Sequence, residues 1–579
     1  MTRRVARTLN DWTTAWPLIL ALAGMIAFHV ASHRQPLSQE ELTWWFQLSQ
    51  SILATGQPLT IHGTAWNDHP PLYALLLAGV FAGFGVGEVQ ARALGLGLGL
   101  LTMAVFYRTV CILQNRHAPQ VPLARLALCL YVMHPLVLQS TLLVEVDTTL
   151  GPLAAGLFAL YAVRLGELGP RREAAYGGLL VALLLWIKFY NALPLVAVLV
   201  LVATLNEGWR AALPRVGRIV APGLVLFALT WIPVSHALTM DATRPLVYVF
   251  DALRRRSLDV PLTRVANWPR ETAETALWVS PVLMLVAPLV ALAWLRPEMR
   301  RPQLAGVQLL AVWGASQLVV PLLFIGPLYG FPKYQAPSLV LLLPAVMLYA
   351  TTRGDTPLKS LWLAVALGVG CGVLLYPLVG DVLLQARVHL KAVALDQPDR
   401  VWQAGGLLVL SVVAYLALPV VVLCCWPGVR RRARSLVVPA LVAAHVSFMT
   451  GLLTAQTLDG YLTRYAYGER GVRAVAELIR REAAQRLVVA PLPVTHYAGA
   501  APLPSLSTFW DLGAATVLPA VRDPGTGCLV YSLGHNSLAQ LRYLEHDQAL
   551  AMALRDHGFA KQTIGTFTVW CRARPNASR

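Results

Sequence analysis

The sequence predicts an α-helical polytopic membrane protein of about thirteen transmembrane helices, with interfacial helices in the first outer loop and a small C-terminal extracytoplasmic α/β domain. Three observations lead there. Hydrophobic residues make up 56% of the 579 and charged residues only 13%, with a mean hydropathy of +0.58, whereas a soluble domain carries about 25% charge. Apolar runs such as 18–30, 179–187, 220–229 and 407–422 span or nearly span a bilayer once their flanks are counted. From Gln456 onward this pattern yields to short strand-like and amphipathic stretches.

The chain opens on Met1-Thr2-Arg3-Arg4-Val5-Ala6-Arg7, and no small-residue cleavage site follows Val30, so an uncleaved first helix is expected. The net charge of +18, from 47 basic and 29 acidic residues, does not point to nucleic acid, because the arginines cluster at the ends of apolar spans as orientation signals do. The stretch 72–86 decides the orientation. At about fifteen residues it is short for a span and suits an interfacial helix. Counted as a span, it would move Arg164/Arg171/Arg172, Arg296/Arg300/Arg301 and Arg430/Arg431/Arg432/Arg434 outside. Counted as interfacial, it leaves all three clusters in the cytoplasm with Arg3/Arg4/Arg7, which the positive-inside rule prefers.

The spans then fall at 16–31, 92–110, 123–138, 150–163, 177–187, 193–205, 220–236, 275–294, 304–325, 338–350, 361–378, 404–422 and 436–453. Their odd number puts the N-terminus inside and the C-terminus outside. The chain divides into a transmembrane domain, 1–456, and a periplasmic α/β domain, 457–579. In the latter, 469–482 and 543–557 read as helices, and 486–490, 527–532 and 563–571 as strands. It has no Gly-rich phosphate loop, so a lid or acceptor-docking role is expected. Seven cysteines are too few and scattered for a disulfide framework, and none form a CxxC pair. Cys528 and Cys571 would pair if their segment is extracytoplasmic. The outer loop 239–272 carries Arg254, Arg255, Arg256, Arg264 and Arg270. It reads either as a basic interfacial helix or as a guanidinium cluster for a lipid-linked phosphate.

Polar residues gather at the outer ends of spans. Residues 39–55 form an amphipathic helix closed by Gly56, with Trp45, Leu48 and Ile52 on one face and Trp44 at interfacial depth. Glu40 and Glu41 stand in its first turn. Ser38-x-x-Glu41 is also a capping box, which alone would justify Glu41, and Glu40 would complement the helix dipole. Glu145-Val146-Asp147 supplies a second acidic site on the same face. One carboxylate there would serve as general base, and a second would orient a hydroxyl or hold a divalent cation. Asp68-His69-Pro70-Pro71 makes a rigid turn that is either a loop brace or a contact for phosphate or acceptor through His69. Lys188-Phe189-Tyr190-Asn191 and Lys333-Tyr334 interrupt apolar stretches at outer tips. Their lysines either snorkel or clamp a phosphate leaving group.

These residues resemble the motifs of the polyprenyl-phosphate-sugar-dependent membrane glycosyltransferases of the GT-C class, among them protein O-mannosyltransferases and the aminoarabinose transferase of lipid A. Glu40-Glu41-Leu42-Thr43-Trp44-Trp45 is similar to the family's DEAxY-like helix, and Asp68-His69-Pro70-Pro71-Leu72-Tyr73 to its KPP or HPP turn. Trp186-Ile187-Lys188-Phe189-Tyr190-Asn191-Ala192-Leu193 looks like its LTKYNAL segment, and Lys333-Tyr334-Gln335-Ala336-Pro337 like its R/K-Y-x-x-P motif. The similarity covers about 11–350. It implies a catalytic cavity on the outer face and inversion at the anomeric carbon.

By this resemblance Glu41 corresponds to the catalytic aspartate, with Glu40 as its substitute, and Asp147 to the second acid. Lys188, Lys333, His69 and Tyr334 would bind the donor phosphate. Asp68, Trp44, Glu145 and Tyr190 would line the acceptor cavity, and a divalent cation, if one takes part, would sit on Glu41 and Asp147. The expected protein is a glycosyltransferase of the bacterial inner membrane, multi-pass, taking a hexosyl or pentosyl group from an undecaprenyl- or decaprenyl-phosphate carrier. The alternatives are a carrier-lipid flippase and a non-catalytic assembly protein for envelope polymers.

Overall fold

The computed structural model describes residues 2–32, 35–38, 40–60, 63–64, 66, 69–119, 122–257, 262–324, 332–353, 358–384, 386–425, 436–458, 471–483, 487–499, 512–534 and 536–572. Asp68 and the arginines at 430–432 and 434 lie outside the described residues. So do the side chains of Tyr190, Arg254, Arg255, Arg256 and Arg264. Arg270 is exposed, 3.9 Å from Glu274.

The chain is mostly helical. Among the described residues, seven helices are long and apolar enough to cross a membrane, or nine if each of two bent pairs counts as one span. The remaining expected spans fall on shorter helices, such as Leu150–Ala162 and Asn191–Glu207. The stretch 123–138 is not straight: Leu123–Val132 and Pro135–Leu142 meet at 58°, because Pro135 has no N–H to continue the ladder. Trp268–Val279 and Pro281–Trp294 meet at 98° around Ser280, whose φ is +88°. Proline again follows the break. The apolar helix Leu72–Phe84 starts after Pro70-Pro71, ends at Gly85 and is thirteen residues long, the same length as Leu150–Ala162.

Helix–helix contacts use small residues to bring backbones together, as membrane interiors require. Helix Trp209–Ala237 meets Pro170–Ile187 so closely that a Cβ on Gly223 would lie 2.7 Å from the Gly178 carbonyl oxygen. Large side chains such as Trp294, Trp313, Phe106 and Phe158 fill the core between the helices.

Beyond the last apolar helix, Val437–Leu458, four strands form one sheet: β1 Leu487–Val489, β2 Thr526–Ser532, β3 Phe559–Ile564 and β4 Phe567–Arg572. Their order is β1-β2-β4-β3, with β1 parallel to β2 and the other pairs antiparallel. The single strand expected at 563–571 is instead a hairpin turning through Gly565-Thr566, with Gly565 at φ +60°. β3 escaped the sequence reading because Ala560–Thr563 face solvent on an edge and carry no apolar alternation. Cys528 lies opposite Cys571 across β2 and β4, and the two form a disulfide. One apolar cluster covers each face of the sheet, helix Val472–Ala483 contributing to one of them.

Candidate active site

The first loop sets the site. Ser38 and Glu41 form the capping box: the Glu41 N–H donates to Ser38 Oγ at 3.3 Å, and the Ser38 N–H to Glu41 Oε2 at 2.7 Å. The other Glu41 oxygen accepts the Val144 N–H at 2.8 Å. With both oxygens on main-chain donors and only 2% exposure, Glu41 is engaged in holding the first loop against the 143–149 loop. Glu40, one residue earlier, has a buried Oε2 with no hydrogen-bond partner. The helix opens as a π-turn over Glu41–Phe46 before the α-helix Gln47–Thr55, a distortion frequent at functional sites. Gly56 closes it at φ +74°.

Around Glu40 the chain folds charged residues together from distant stretches. Lys333, in a short turn ahead of helix Ala336–Arg353, forms an ion pair with Glu40 and lies 3.6 Å from Glu145. Lys188, in the extended link between Pro170–Ile187 and Phe189–Glu207, pairs with Asp147. Both ammoniums lie over the Tyr334 ring, Lys188 Nζ at 5.3 Å and Lys333 Nζ at 5.2 Å from its centre. Trp45 Nε1–H donates to Glu145 Oε2 at 2.9 Å.

Three carboxylates and two ammoniums would leave one negative charge in a buried place. Burial, with the nearby Asp147 carboxylate adding to it, pushes Glu145 up to about 7 against the opposing pull of Lys333. Burial also works to raise Asp147, but Lys188 and Lys333 outweigh it and hold that carboxyl below its ordinary value. With Glu145 protonated, two ion pairs remain and the cluster is neutral.

His69 stacks on Trp45 with ring centres 5.3 Å apart and meets the Trp66 ring edge-on at 4.9 Å. Burial first, and the Lys188 ammonium second, push its imidazole down to about 3. His69 is therefore neutral, and any phosphate contact it makes is that of an uncharged donor. The unfolded chain takes up this proton near pH 6.5, while the folded chain refuses it until about 3. The stability His69 contributes is thus complete above pH 6.5 and is lost as pH falls through that window. At pH 4.5 the loss is about 3 kcal/mol. Glu145 acts in the opposite sense, its contribution fading as pH rises toward 7. Thermal melting in detergent at pH 7 and pH 5 is expected to show a smaller acid loss in His69→Gln than in the wild type; equal losses would remove His69 from this role.

Several residues of the site were not singled out in the sequence. Trp66 donates through Nε1 to the His69 carbonyl at 2.9 Å and meets the Trp44 ring at a tilt of 57°, centres 5.0 Å apart. Arg92 spans from the Leu142 carbonyl to that of Gln35; as a sequence feature it read only as the start of a span. The Gln335 amide, fully buried beside Tyr334, has neither end hydrogen-bonded. The tryptophan density of the first loop was the one available signal.

The Glu41 oxygens accept main-chain amides, and Asp147 is paired with Lys188. Among the described residues no group of three or more His, Cys, Asp or Glu side chains is placed to hold a metal.

No family model and no curated protein matches the chain. Among solved structures, ArnT from Cupriavidus metallidurans bound to undecaprenyl phosphate superposes with a TM-score of 0.58, at 16% identity over 97% of this chain and 99% of that one. This chain has the ArnT fold. The apo state of the same protein gives 0.49, at 15% identity over 96% and 98%. The likeness in fold covers nearly the whole chain, beyond the 11–350 over which the motifs were compared.

Proposed function

We propose that this chain is an integral membrane glycosyltransferase that moves a sugar from an undecaprenyl-phosphate carrier to an acceptor hydroxyl on the periplasmic face. The observation that carries this reading is the meeting of Glu40, Glu145, Asp147, Lys188 and Lys333 around Tyr334. The likeness to a fold solved with undecaprenyl phosphate supports the carrier. An apolar cavity of about 330 Å³, lined chiefly by the helices Pro281–Trp294, Ala336–Arg353 and Val437–Leu458, suits part of a prenyl tail.

Glu40, rather than Glu41, takes the proton of the acceptor hydroxyl as its oxygen attacks the anomeric carbon. The bond from that carbon to the carrier phosphate breaks, its electrons leave with the phosphate, and the configuration inverts. Lys333 and Lys188 receive the phosphate, as preorganised cations at developing charge. Asp147 and Glu145 hold those lysines in place over the Tyr334 ring. Residues 1–456 form the transmembrane domain with a cytoplasmic N-terminus. Residues 457–579 form a periplasmic domain that covers the site or docks the acceptor.

The test is reconstitution of the purified protein in liposomes with undecaprenyl-phosphate sugars carrying labelled hexoses or pentoses. Transfer of label to an acceptor, with undecaprenyl phosphate accumulating, supports the reading. Movement of intact carrier across the bilayer without transfer overturns it in favour of a flippase, which the two sharply bent helix pairs would also suit.

A further inference from the structure

We infer that Tyr497, from the C-terminal segment, is a positioning residue for the Glu40 carboxylate; the inference rests on the glycosyltransferase reading above. The turn that carries Glu40 is anchored from three directions. Arg92 grips the Gln35 carbonyl at 2.8 Å, and Glu41 accepts the Val144 N–H. The third anchor comes from 460 positions along the chain. The Leu37 N–H donates to the Tyr497 hydroxyl at 2.7 Å. Leu37 directly precedes Ser38, whose bonds to Glu41 define the first turn of the helix. Losing the Tyr497 contact would free the segment just before Glu40, three residues from the carboxylate that the chemistry needs.

Tyr497 is itself held in a fixed pose. Its hydroxyl accepts from Leu37, and the Glu88 carboxylate acts on that hydroxyl electrostatically. Arg473 pairs with Glu88 at 3.1 Å and lies over the Tyr497 ring at 4.5 Å. Arg480 donates to the Tyr497 carbonyl at 2.8 Å. Next to it, the His496 ring stands edge-on to Phe46, at 6.3 Å, on the far side of the same turn. The C-terminal segment therefore bears on both ends of the stretch 37–46. The link from Tyr497 to the Glu40 turn runs through the backbone N–H of Leu37.

Tyr497→Phe removes the hydroxyl and keeps the ring under Arg473. In the reconstituted transfer assay kcat is expected to fall about ten- to a hundredfold, the scale of a misplaced catalytic group. The KM for the carrier should stay within about twofold, because the lysines and Tyr334 are untouched. Lys561→Met, on the distant hairpin, should leave both constants unchanged. Hydrogen exchange at the Leu37 amide should speed up in Tyr497→Phe whether or not the protein turns over. If Tyr497→Phe also melts lower, Glu88→Gln provides the second measurement: it weakens the hold on the hydroxyl and should reproduce the fall in kcat. Wild-type kcat in Tyr497→Phe or in Glu88→Gln, or loss in KM alone, overturns the inference. A wild-type protein that transfers nothing, yet shows faster Leu37 exchange on substitution, defeats the functional reading and leaves the contact standing.

Discussion

Glu40→Gln is expected to cut sugar transfer by about a hundred- to ten-thousandfold, the usual worth of a general base, while the protein binds its carrier as before. Glutamine keeps the size of the side chain and a partner for Lys333, which also retains Glu145 at 3.6 Å; only the ability to take a proton goes. Glu41→Gln should behave differently. The amide can accept one of the two N–H groups but turns a donor toward the other, leaving a buried mismatch worth about 1–3 kcal/mol. A lower melting temperature with partial activity is the expected phenotype. Transfer assays and melting curves on the two variants separate the roles. Full activity in Glu40→Gln with none in a well-folded Glu41→Gln would return the base to Glu41.

Lys333→Met should damage both stability and activity. It strands Glu40 and weakens the surroundings of Glu145 in a site where the lysine side chain is 3% exposed. Breaking a buried pair from one side costs about 3–5 kcal/mol, so a marked fall in melting temperature is expected along with loss of transfer. Adding Glu40→Gln to Lys333→Met removes the stranded charge and should recover most of the melting temperature without recovering turnover. A double variant that melts no higher than Lys333→Met would show that the lysine acts by packing rather than by charge.

Local features of the site were readable in the sequence because they depend on neighbours. Gly56 ends its helix in the left-handed conformation, Ser38 caps with Glu41, Lys188 sits where one helix stops, and Lys333 stands just ahead of another. Which glutamate faces the lysines could not be read. That depends on the Val144 amide, a hundred positions away, reaching Glu41 rather than Glu40. The same limit applies to the spans. Hydropathy finds apolar stretches, but Pro135 and Pro281 bend two of them sharply, and a window average does not register a direction. Strand β3 was missed since Ala560–Thr563 are exposed at a sheet edge and carry no apolar alternation.

The bond between Cys528 and Cys571 bears on the sidedness of the whole molecule. Sulfur–sulfur bridges persist where thiols are not kept reduced, and this one lies in the sheet flanked by the segment that presents Tyr497 and Arg473 to Leu37 and Glu88. On the function proposed above, this ties the redox environment and the Glu40–Lys333 cluster to one face, independently of the distribution of arginines.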